Sequence, residues 1–222
     1  MMIKRGNRIG SYDTVVTGKW LLTAWSFSDP EQVTHFVDVP GRRKGPLDLS
    51  TASTDGDPVY GSRTFTAIYE SSEDSRLERE DRISAMVNLL DGMRENITLP
   101  DDDEHYVVGR VSVKRLYNDR AHASVQVTAV CEPWKYNKEE TRVVLNATGE
   151  TQTATLRNPG RLSVVPLLTV EGGDVSLSSG GSTWALSPGN YTLPDLLLSQ
   201  EGKVVNYTGA GTLLFTYREA VL

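Results

Sequence analysis

The feature that most constrains the fold of this 222-residue chain is the regular interruption of short apolar or alternating runs by glycine and proline. Beyond Asn137 the sequence has no helical period, and turn sequences such as Asn158-Pro159-Gly160 and Ser187-Pro188-Gly189-Asn190 separate one run from the next. This spacing is typical of a β-sandwich. The sequence therefore predicts a sandwich domain over residues 136–222, preceded by a first domain over residues 1–135.

Two local features of the second domain can be predicted from its residues. Leu196 to Leu198 is an apolar run that favours a strand. The glycine-rich segment Gly209-Ala210-Gly211 lies between two further predicted strands, which favours a hairpin turn over a phosphate-binding loop.

One segment of the first domain changes to a helical period. Its apolar positions form a single stripe at Ile83, Met86, Val87, Leu90 and Met93. The start is marked by Ser75-Arg76-Leu77-Glu78, in which the serine and the glutamate satisfy N–H groups of the first turn. Glu73, Asp74 and Glu78 suit the positive end of the helix dipole. We predict a helix that ends near Asn96, and a chain that is mainly β with one amphipathic helix.

A long hairpin is predicted after the helix. Asp101-Asp102-Asp103-Glu104 has the composition of a solvated turn, and His105 to Val113 alternates like a strand. Asn118-Asp119 then turns the chain into a second alternating strand that ends at Cys131. We expect the two strands to pair.

Charge and hydropathy limit the functional classes. The formal net charge of −6 and pI near 5.2 argue against a protein whose affinity depends on neutralising phosphates or coating an anionic membrane. The basic residues of the N-terminus are not followed by an apolar run, which predicts no export signal. Apolar stretches are too short to span a bilayer, so we expect no membrane contact.

Motifs for catalysis are missing from the sequence. His35, His105 and His122 are isolated, and Cys131 is the single cysteine. The acids at 101–104 lack the ligand spacing and turn glycine of a calcium loop. The sequence therefore predicts no catalytic residue, no metal site and no cofactor, although carboxylates from distant strands could still meet in space.

Five segments, taken in their order along the chain, carry a family resemblance. They are Val37 to Leu49 with its Pro40-Gly41 break, Tyr60 to Phe65, Asn88 to Gly92, Gly109-Arg110-Val111, and Cys131 to Tyr136. Together with the C-terminal run Phe215 to Leu222, they resemble the distal tail protein (Dit) family of siphophages and prophages. The resemblance implies an N-terminal β-sandwich-like ring domain (α+β) and a C-terminal galectin-like β-sandwich.

The resemblance also implies a structural role in the phage tail tip or baseplate, without enzymatic activity. It implies a homo-hexameric ring that joins the tail tube protein to the tail-associated tip or lysin protein. DNA would pass through the channel without specific binding. The protein would be assembled in the host cytoplasm and reside in the virion tail tip.

Two sets of residues are candidates for these contacts. An exposed strand is a template for pairing with another chain, and a heterologous contact repeated about an axis closes a ring. The candidate subunit interface is Val37, Asp38, Val39, Pro40, Gly41, Arg42 and Arg43, within a segment from Val37 to Ser50 that we expect to act as an arm against a neighbouring subunit. The candidate lumen-facing acids are Asp101, Asp102, Asp103 and Glu104, with the range Glu70 to Asp81 as a second possibility. The basic Arg42-Arg43-Lys44 departs from the family, which usually has an acid there and is one residue shorter.

Two other functions stay open at this point. A carbohydrate-binding module could recognise host cell-wall glycans, with a tryptophan such as Trp184 as a stacking platform. Large aromatics in a sandwich are more often core or interface residues, and the segment from Tyr136 to Leu222 has no histidine of the kind that galectins use. A tail-tip hydrolase is the third possibility.

Overall fold

A computed structural model describes residues 6–41, 44–52, 54, 57–72 and 75–222 of the chain. The chain divides into two compact units, Met1–Pro133 and Trp134–Leu222. Over the described residues the fold is mainly β with one helix, as predicted. The helix in that part of the chain is not long and apolar enough to cross a membrane.

The N-terminal unit is built on one antiparallel sheet. Its elements are β1 (Arg8–Ile9), β2 (Tyr12–Asp13), β3 (Leu21–Phe27), β4 (Phe36–Val37), β5 (Leu47–Asp48), β6 (Arg63–Ser71), α1 (Arg76–Leu90), β7 (Arg94–Leu99), β8 (Asp102–Asn118) and β9 (Ala123–Asn137). The strand order is β2-β1-β7-β8-β9-β6-β3, while β4 and β5 pair only with each other. The pair β4–β5 therefore lies outside the sheet.

The core of this unit lies on one face of the sheet. Alternate residues of β6 are buried, and Phe65, Ala67 and Tyr69 lie opposite Ala129, Val127 and Val125 of β9. The helix adds the buried side chains of Ile83, Met86 and Leu90. The alternation of apolar and polar residues in the sequence thus gives the sheet one apolar face and one polar face, and the helix packs on the apolar face.

The start of α1 is as predicted and its end is not. Ser75 is the N-cap, and it forms the reciprocal capping box with Glu78. The helix ends at Leu90 rather than near Asn96, because Asp91 is extended and Gly92 has a φ of +77°, which is left-handed. Met93 is therefore outside the helix and exposed, and β7 follows at once. Glu73 and Asp74 lie outside the described residues.

A buried arginine fixes α1 to the turn of the β8–β9 hairpin. Arg79 is 1% exposed, and its Nη2 donates to the backbone oxygens of Asp119 (2.8 Å) and Arg120 (3.2 Å). Its Nε lies 3.4 Å from Oδ1 of Asn118. A charged group can be buried here because backbone carbonyls accept hydrogen bonds from its N–H groups.

The predicted long hairpin is present. β8 and β9 are neighbours in the sheet, and the N–H of Asp119 donates to the oxygen of His122 across the turn. One detail of the prediction is wrong, because β8 already begins at Asp102. The acids 102–104 therefore belong to the strand, next to an irregularity where Thr98 pairs with Tyr106 and Leu99 with Asp102.

The C-terminal unit is a sandwich of two four-stranded sheets. Its elements are β10 (Thr141–Asn146), β11 (Gln152–Leu156), β12 (Leu167–Glu171), β13 (Val175–Ser179), β14 (Ser182–Leu186), β15 (Gly189–Thr192), β16 (Lys203–Gly209), β17 (Thr212–Tyr217) and β18 (Ala220–Val221). One sheet has the order β10-β17-β12-β15 and the other β11-β16-β13-β14. β9 extends past Pro133 into this unit, where β18 pairs with its residues Lys135 and Tyr136.

The inner faces of the two sheets share one core. Leu168 and Phe215 come from the first sheet, Leu177 and Val205 from the second, and all four are completely buried. Trp184 packs against this core, and Trp25 packs against the N-terminal one, where Trp20 is buried. The interpretation of these three tryptophans as core residues is confirmed.

Two predictions for this unit are wrong. Leu196 to Leu198 forms no strand, since only Leu198 makes an isolated bridge, to Val164. The predicted separator Ser187–Asn190 does divide β14 from β15, although β15 already begins at Gly189. Gly209–Gly211 is not a hairpin turn, because β16 and β17 belong to different sheets. A Cβ on Gly209 would lie 2.3 Å from the oxygen of Asp174, so glycine is needed where the chain crosses between sheets.

Candidate assembly interface

The predicted interface lies on a two-stranded projection, residues 31–50, which we call the arm. Phe36 of β4 pairs with Asp48 of β5, and Val37 pairs with Leu47. Every residue that the structure describes between 31 and 48 is exposed. The arm therefore contributes nothing to either core.

The base of the arm is held by backbone hydrogen bonds. Gln32 forms an antiparallel bridge with Tyr60, and the N–H of Val33 donates to the oxygen of Val59 at 2.8 Å. The N–H of Gly61 donates to the oxygen of Glu31 at the same distance. These bonds fix the direction in which the arm leaves the sheet.

The tip of the arm turns at glycines. Gly41 has a φ of +82° and Gly45 a φ of +81°, both in the left-handed region that favours glycine. A Cβ at either position would meet no atom within 4 Å, so the backbone angle alone selects glycine here. Arg42 and Arg43 of the predicted interface lie outside the described residues.

Large apolar side chains on the arm are exposed to solvent. Their relative exposure runs from 36% to 56%, and they are Val33, Phe36, Val37, Val39 and Leu47. Because Val37 and Leu47 are directly paired, they share one face of the hairpin, and Phe36 lies on the other. Both faces of the arm are thus partly apolar.

The sequence-based prediction missed Val33 and Phe36, whereas Leu47 lies within the predicted arm, Val37 to Ser50, but outside the seven candidate interface residues. Val33 and Phe36 fall just before the predicted segment, which begins at Val37. Their signal is the presence of large apolar residues on both strands of so short a hairpin. Asp38, Pro40 and Gly41 are also exposed, as a contact surface requires.

The Asp48 carboxylate takes part in hydrogen bonds that join the two strands of the arm near His35 and Ser50. Oδ1 of Asp48 accepts from the hydroxyl of Ser50 (2.5 Å) and from the Ser50 N–H (2.9 Å). The Ser50 hydroxyl oxygen accepts in turn from the N–H of His35 at 2.8 Å. The bonds from the Ser50 hydroxyl and N–H lower the pKa of Asp48. The Asp48 carboxylate therefore stabilises the hydrogen bonds that join the two strands of the arm here.

The candidate lumen acids lie at the start of β8. Asp101, Asp103 and Glu104 are exposed, whereas Asp102 is half-buried, with its Oδ1 2.9 Å from Nδ1 of His105. Burial raises the pKa of Asp102, but the hydrogen bond and charge of His105 and two backbone N–H bonds outweigh it, so this pKa is lowered. Three carboxylates of the run therefore face solvent, and Asp102 caps the strand.

The second acidic range, Glu70 to Asp81, is engaged within the unit. Glu78 caps α1, and Glu80 pairs with Arg115 and accepts from Asn118. Oε1 of Glu70 accepts from the hydroxyl of Tyr117 at 3.2 Å. These contacts give the acids local structural roles, and Asp81 is exposed.

The described residues offer neither a metal-binding cluster nor a reactive thiol. Among the described residues, no three or more histidine, cysteine or acidic side chains are close enough to hold a metal ion. Cys131 is buried against Gly109, and its burial raises the pKa of the thiol to about 11. At neutral pH the thiol is therefore protonated and unreactive.

Comparison with known proteins identifies the fold. The sequence matches no family model and no curated protein sequence. The structure is similar to the crystal structure of the Dit protein (gp 19.1) of phage SPP1, described as a paradigm of the hub adsorption apparatus in phages that infect Gram-positive bacteria. The TM-score is 0.65 at 14% sequence identity, covering 96% of this chain and 98% of the other. The chain thus has a Dit-like fold over almost its whole length.

Proposed function

We propose that this protein is a structural component of a phage or prophage tail tip, in which six copies form a ring. The similarity of fold to a phage hub protein over 96% of the chain is the observation that carries the proposal. The ring joins the tail tube protein to the tail-associated tip or lysin protein or the receptor-binding apparatus. Its place is the virion tail tip, after assembly in the host cytoplasm.

The arm is the proposed contact between neighbouring subunits. An isolated two-stranded hairpin is marginally stable in water, and here it also exposes five large apolar side chains. Covering a half-exposed side chain of this size contributes on the order of 1 kcal/mol. A neighbouring copy would cover both faces of the arm, which explains why Phe36 on one face and Val37 with Leu47 on the other are apolar.

A heterologous contact between neighbouring subunits allows a ring to close. The arm of one copy and the surface that receives it are different patches, so the contact is heterologous. Such a contact, repeated around an axis, closes into a ring if the rotation allows it. Six copies are the number that the family resemblance implies.

The exposed acids at the start of β8 are the proposed lining of the channel. Asp101, Asp103 and Glu104 would repel phosphates, so that DNA passes through without binding. The net charge of −6 per chain acts in the same direction. The domain of residues 136–222 would then project from the ring or dock other tail-tip components.

Electron microscopy tests the proposed ring. The chain is mixed with its tail tube protein and imaged. We expect six-fold rings with and without tubes, and rings capping one end of each tube. Tubes with bare ends, together with single particles of one chain, would contradict it.

A charge-reversal experiment tests the proposed channel lining. The triple variant Asp101→Lys, Asp103→Lys, Glu104→Lys should bind double-stranded DNA, with an affinity that falls steeply as salt is raised, whereas wild type should not. The matched control reverses three exposed acids of the C-terminal unit, Glu150, Glu171 and Glu201. Equal DNA binding by both triple variants would contradict the channel position.

A further inference from the structure

The outer face of α1 carries a row of exposed side chains that includes two leucines. Leu77, Asp81, Ala85 and Leu89 occupy every fourth position, so they follow one another along one side of the helix. All four are exposed, and Leu77 is 72% and Leu89 45% accessible to solvent. The opposite side of α1 fills the core of the N-terminal unit. We call these four residues the helix row.

The helix row begins in an acidic part of the chain. Residues 73–82 contain five acids and three bases, and one of these bases, Arg79, is buried and donates to the β8–β9 turn. Glu78 and Asp81 are both exposed. Hydrogen bonds from Ser75 lower the pKa of Glu78, so its carboxylate is ionised at neutral pH. The start of α1 therefore combines negative charge with an exposed leucine.

The tip of the arm has the opposite charge. Between the turn glycines Gly41 and Gly45 the sequence is Arg42-Arg43-Lys44, and the structure describes Lys44, which is exposed. An arm with a basic tip and apolar sides matches a surface that is acidic at one end and apolar along its length. The resembled family usually has an acid at the tip, so this match belongs to the present chain.

The arm and the start of α1 lie at opposite ends of β6. The arm is joined to the sheet at Gly61, just before β6 begins at Arg63, and α1 starts at Arg76, shortly after β6 ends at Ser71. The 9 residues of β6 separate these ends by about 27 Å. Two complementary patches at opposite ends of one unit suit a head-to-tail contact between copies.

We propose that the arm of one copy lies along the helix row of the next copy in the ring, with its basic tip at the acidic start of α1. Lys44 then faces Asp81, and Val39, behind the tip, covers Ala85. This inference rests on the proposed ring and identifies the surface that receives the arm.

The acids at 101–104 suit the arm less well. Asp101, Asp103 and Glu104 are exposed, but no exposed large apolar side chain occurs among the described residues 94–115. An arm docked there would leave its own apolar side chains in water, whereas the helix row offers Leu77 and Leu89 to cover them.

Disulfide cross-linking of the full chain tests this contact. Cys131 is buried, so the wild-type chain offers no reactive thiol. In the double variant Val39→Cys, Ala85→Cys, oxidation with copper phenanthroline should link each copy to the next and give a ladder of up to six chains on a non-reducing gel. The matched control Val39→Cys, Thr155→Cys moves the second cysteine to an exposed position of the C-terminal unit and should remain single chains.

A charge exchange tests the pairing of the tip with α1. Lys44→Glu and Asp81→Lys should each raise the concentration at which the ring dissociates about threefold, and the two changes together should restore most of the loss. Lys44→Glu combined with Glu150→Lys, at an exposed acid of the C-terminal unit, should restore none. Mass photometry measures all four variants, and equal behaviour of the two combinations would contradict the pairing.

Two results separate this contact from the ring itself. A wild-type mass of six chains, together with a cysteine double variant that gives no ladder, would overturn the contact between arm and helix row and leave the ring. A wild-type mass of one chain at every concentration would contradict the ring and this contact with it. Circular dichroism of each variant verifies that its fold is retained.

Discussion

Two hairpins of the N-terminal unit differ in how much the rest of the chain packs against them. The β8–β9 hairpin has strands of 17 and 15 residues, a buried apolar face and an arginine that holds its turn. The arm has two-residue strands, and none of its described residues between 31 and 48 is buried. A hairpin with so little support in its own chain is explained best by support from another chain.

Because of this difference, we expect substitutions in one hairpin to affect folding stability and substitutions in the other to affect assembly. Changes in the β8–β9 hairpin should lower the free energy of unfolding of the single chain. Changes in the arm should leave that free energy almost unchanged and act on the oligomer.

The largest expected effect is at Arg79. Arg79→Met keeps the length of the side chain but removes the donors to Asp119 and Arg120, which should lower the free energy of unfolding by about 3 kcal/mol. Chemical denaturation measures this change in the free energy of unfolding. Arg76→Met, at an exposed position of the same helix, is the matched control and should change it by less than about 0.5 kcal/mol. Equal effects of the two changes would contradict the role of Arg79.

A smaller loss of stability is expected at Gly109 of β8. The Cβ of Gly109→Ala would lie 2.6 Å from Sγ of Cys131, and such overpacking costs about 2 kcal/mol. Gly61→Ala is the control at the base of the arm, where the nearest atom would be 3.7 Å away. Thermal unfolding of both variants compares the two places directly, and a stable Gly109→Ala would show that β8 and β9 can separate without loss.

At the tip of the arm we expect a substitution to weaken assembly and to leave the folding stability of the chain unchanged. Pro40→Ala with Gly41→Val puts a β-branched residue at a φ of +82°, which costs about 1–2 kcal/mol of local strain. We expect the concentration at which the ring dissociates to rise about tenfold, with the unfolding of the chain unchanged. Mass photometry measures the first quantity. An unchanged ring would contradict the role of the tip, and Pro40→Ala alone is the control.

The smallest expected effect is the pH dependence of the arm. Because the pKa of Asp48 is lowered in the folded arm, its carboxylate stabilises the arm above the ordinary pKa of about 4, and this contribution is lost as the pH falls through the lowered pKa. An NMR titration of the Asp48 carboxyl carbon should show a higher midpoint in Ser50→Ala than in wild type. Equal midpoints would show that Ser50 does not hold the carboxylate.

The sequence predicts the elements that depend on local chemistry. The capping box at Ser75 and Glu78 and the alternation of β8 and β9 need only near neighbours, and both were correct. The end of α1 was missed because the apolar stripe continues to Met93 while Asp91 and Gly92 stop the helix. The crossing at Gly209 was missed because strand sequences do not tell which sheet a strand joins.

The candidate interface could be predicted only in part. The Pro40-Gly41 break marks the tip of the arm, but Val33 and Phe36 were not included. Alternation in a sequence assumes that the apolar face is buried by the same chain, and on the arm it is exposed.

Light scattering of wild type and of the double variant Val37→Asp, Leu47→Asp tests the arm contact most directly. Both side chains are exposed, so the variant should fold like wild type. We predict the mass of six 24.5-kDa chains for wild type and for the control Val144→Asp, an exposed position of β10, and the mass of one chain for the double variant. A double variant that keeps the wild-type mass would contradict the account.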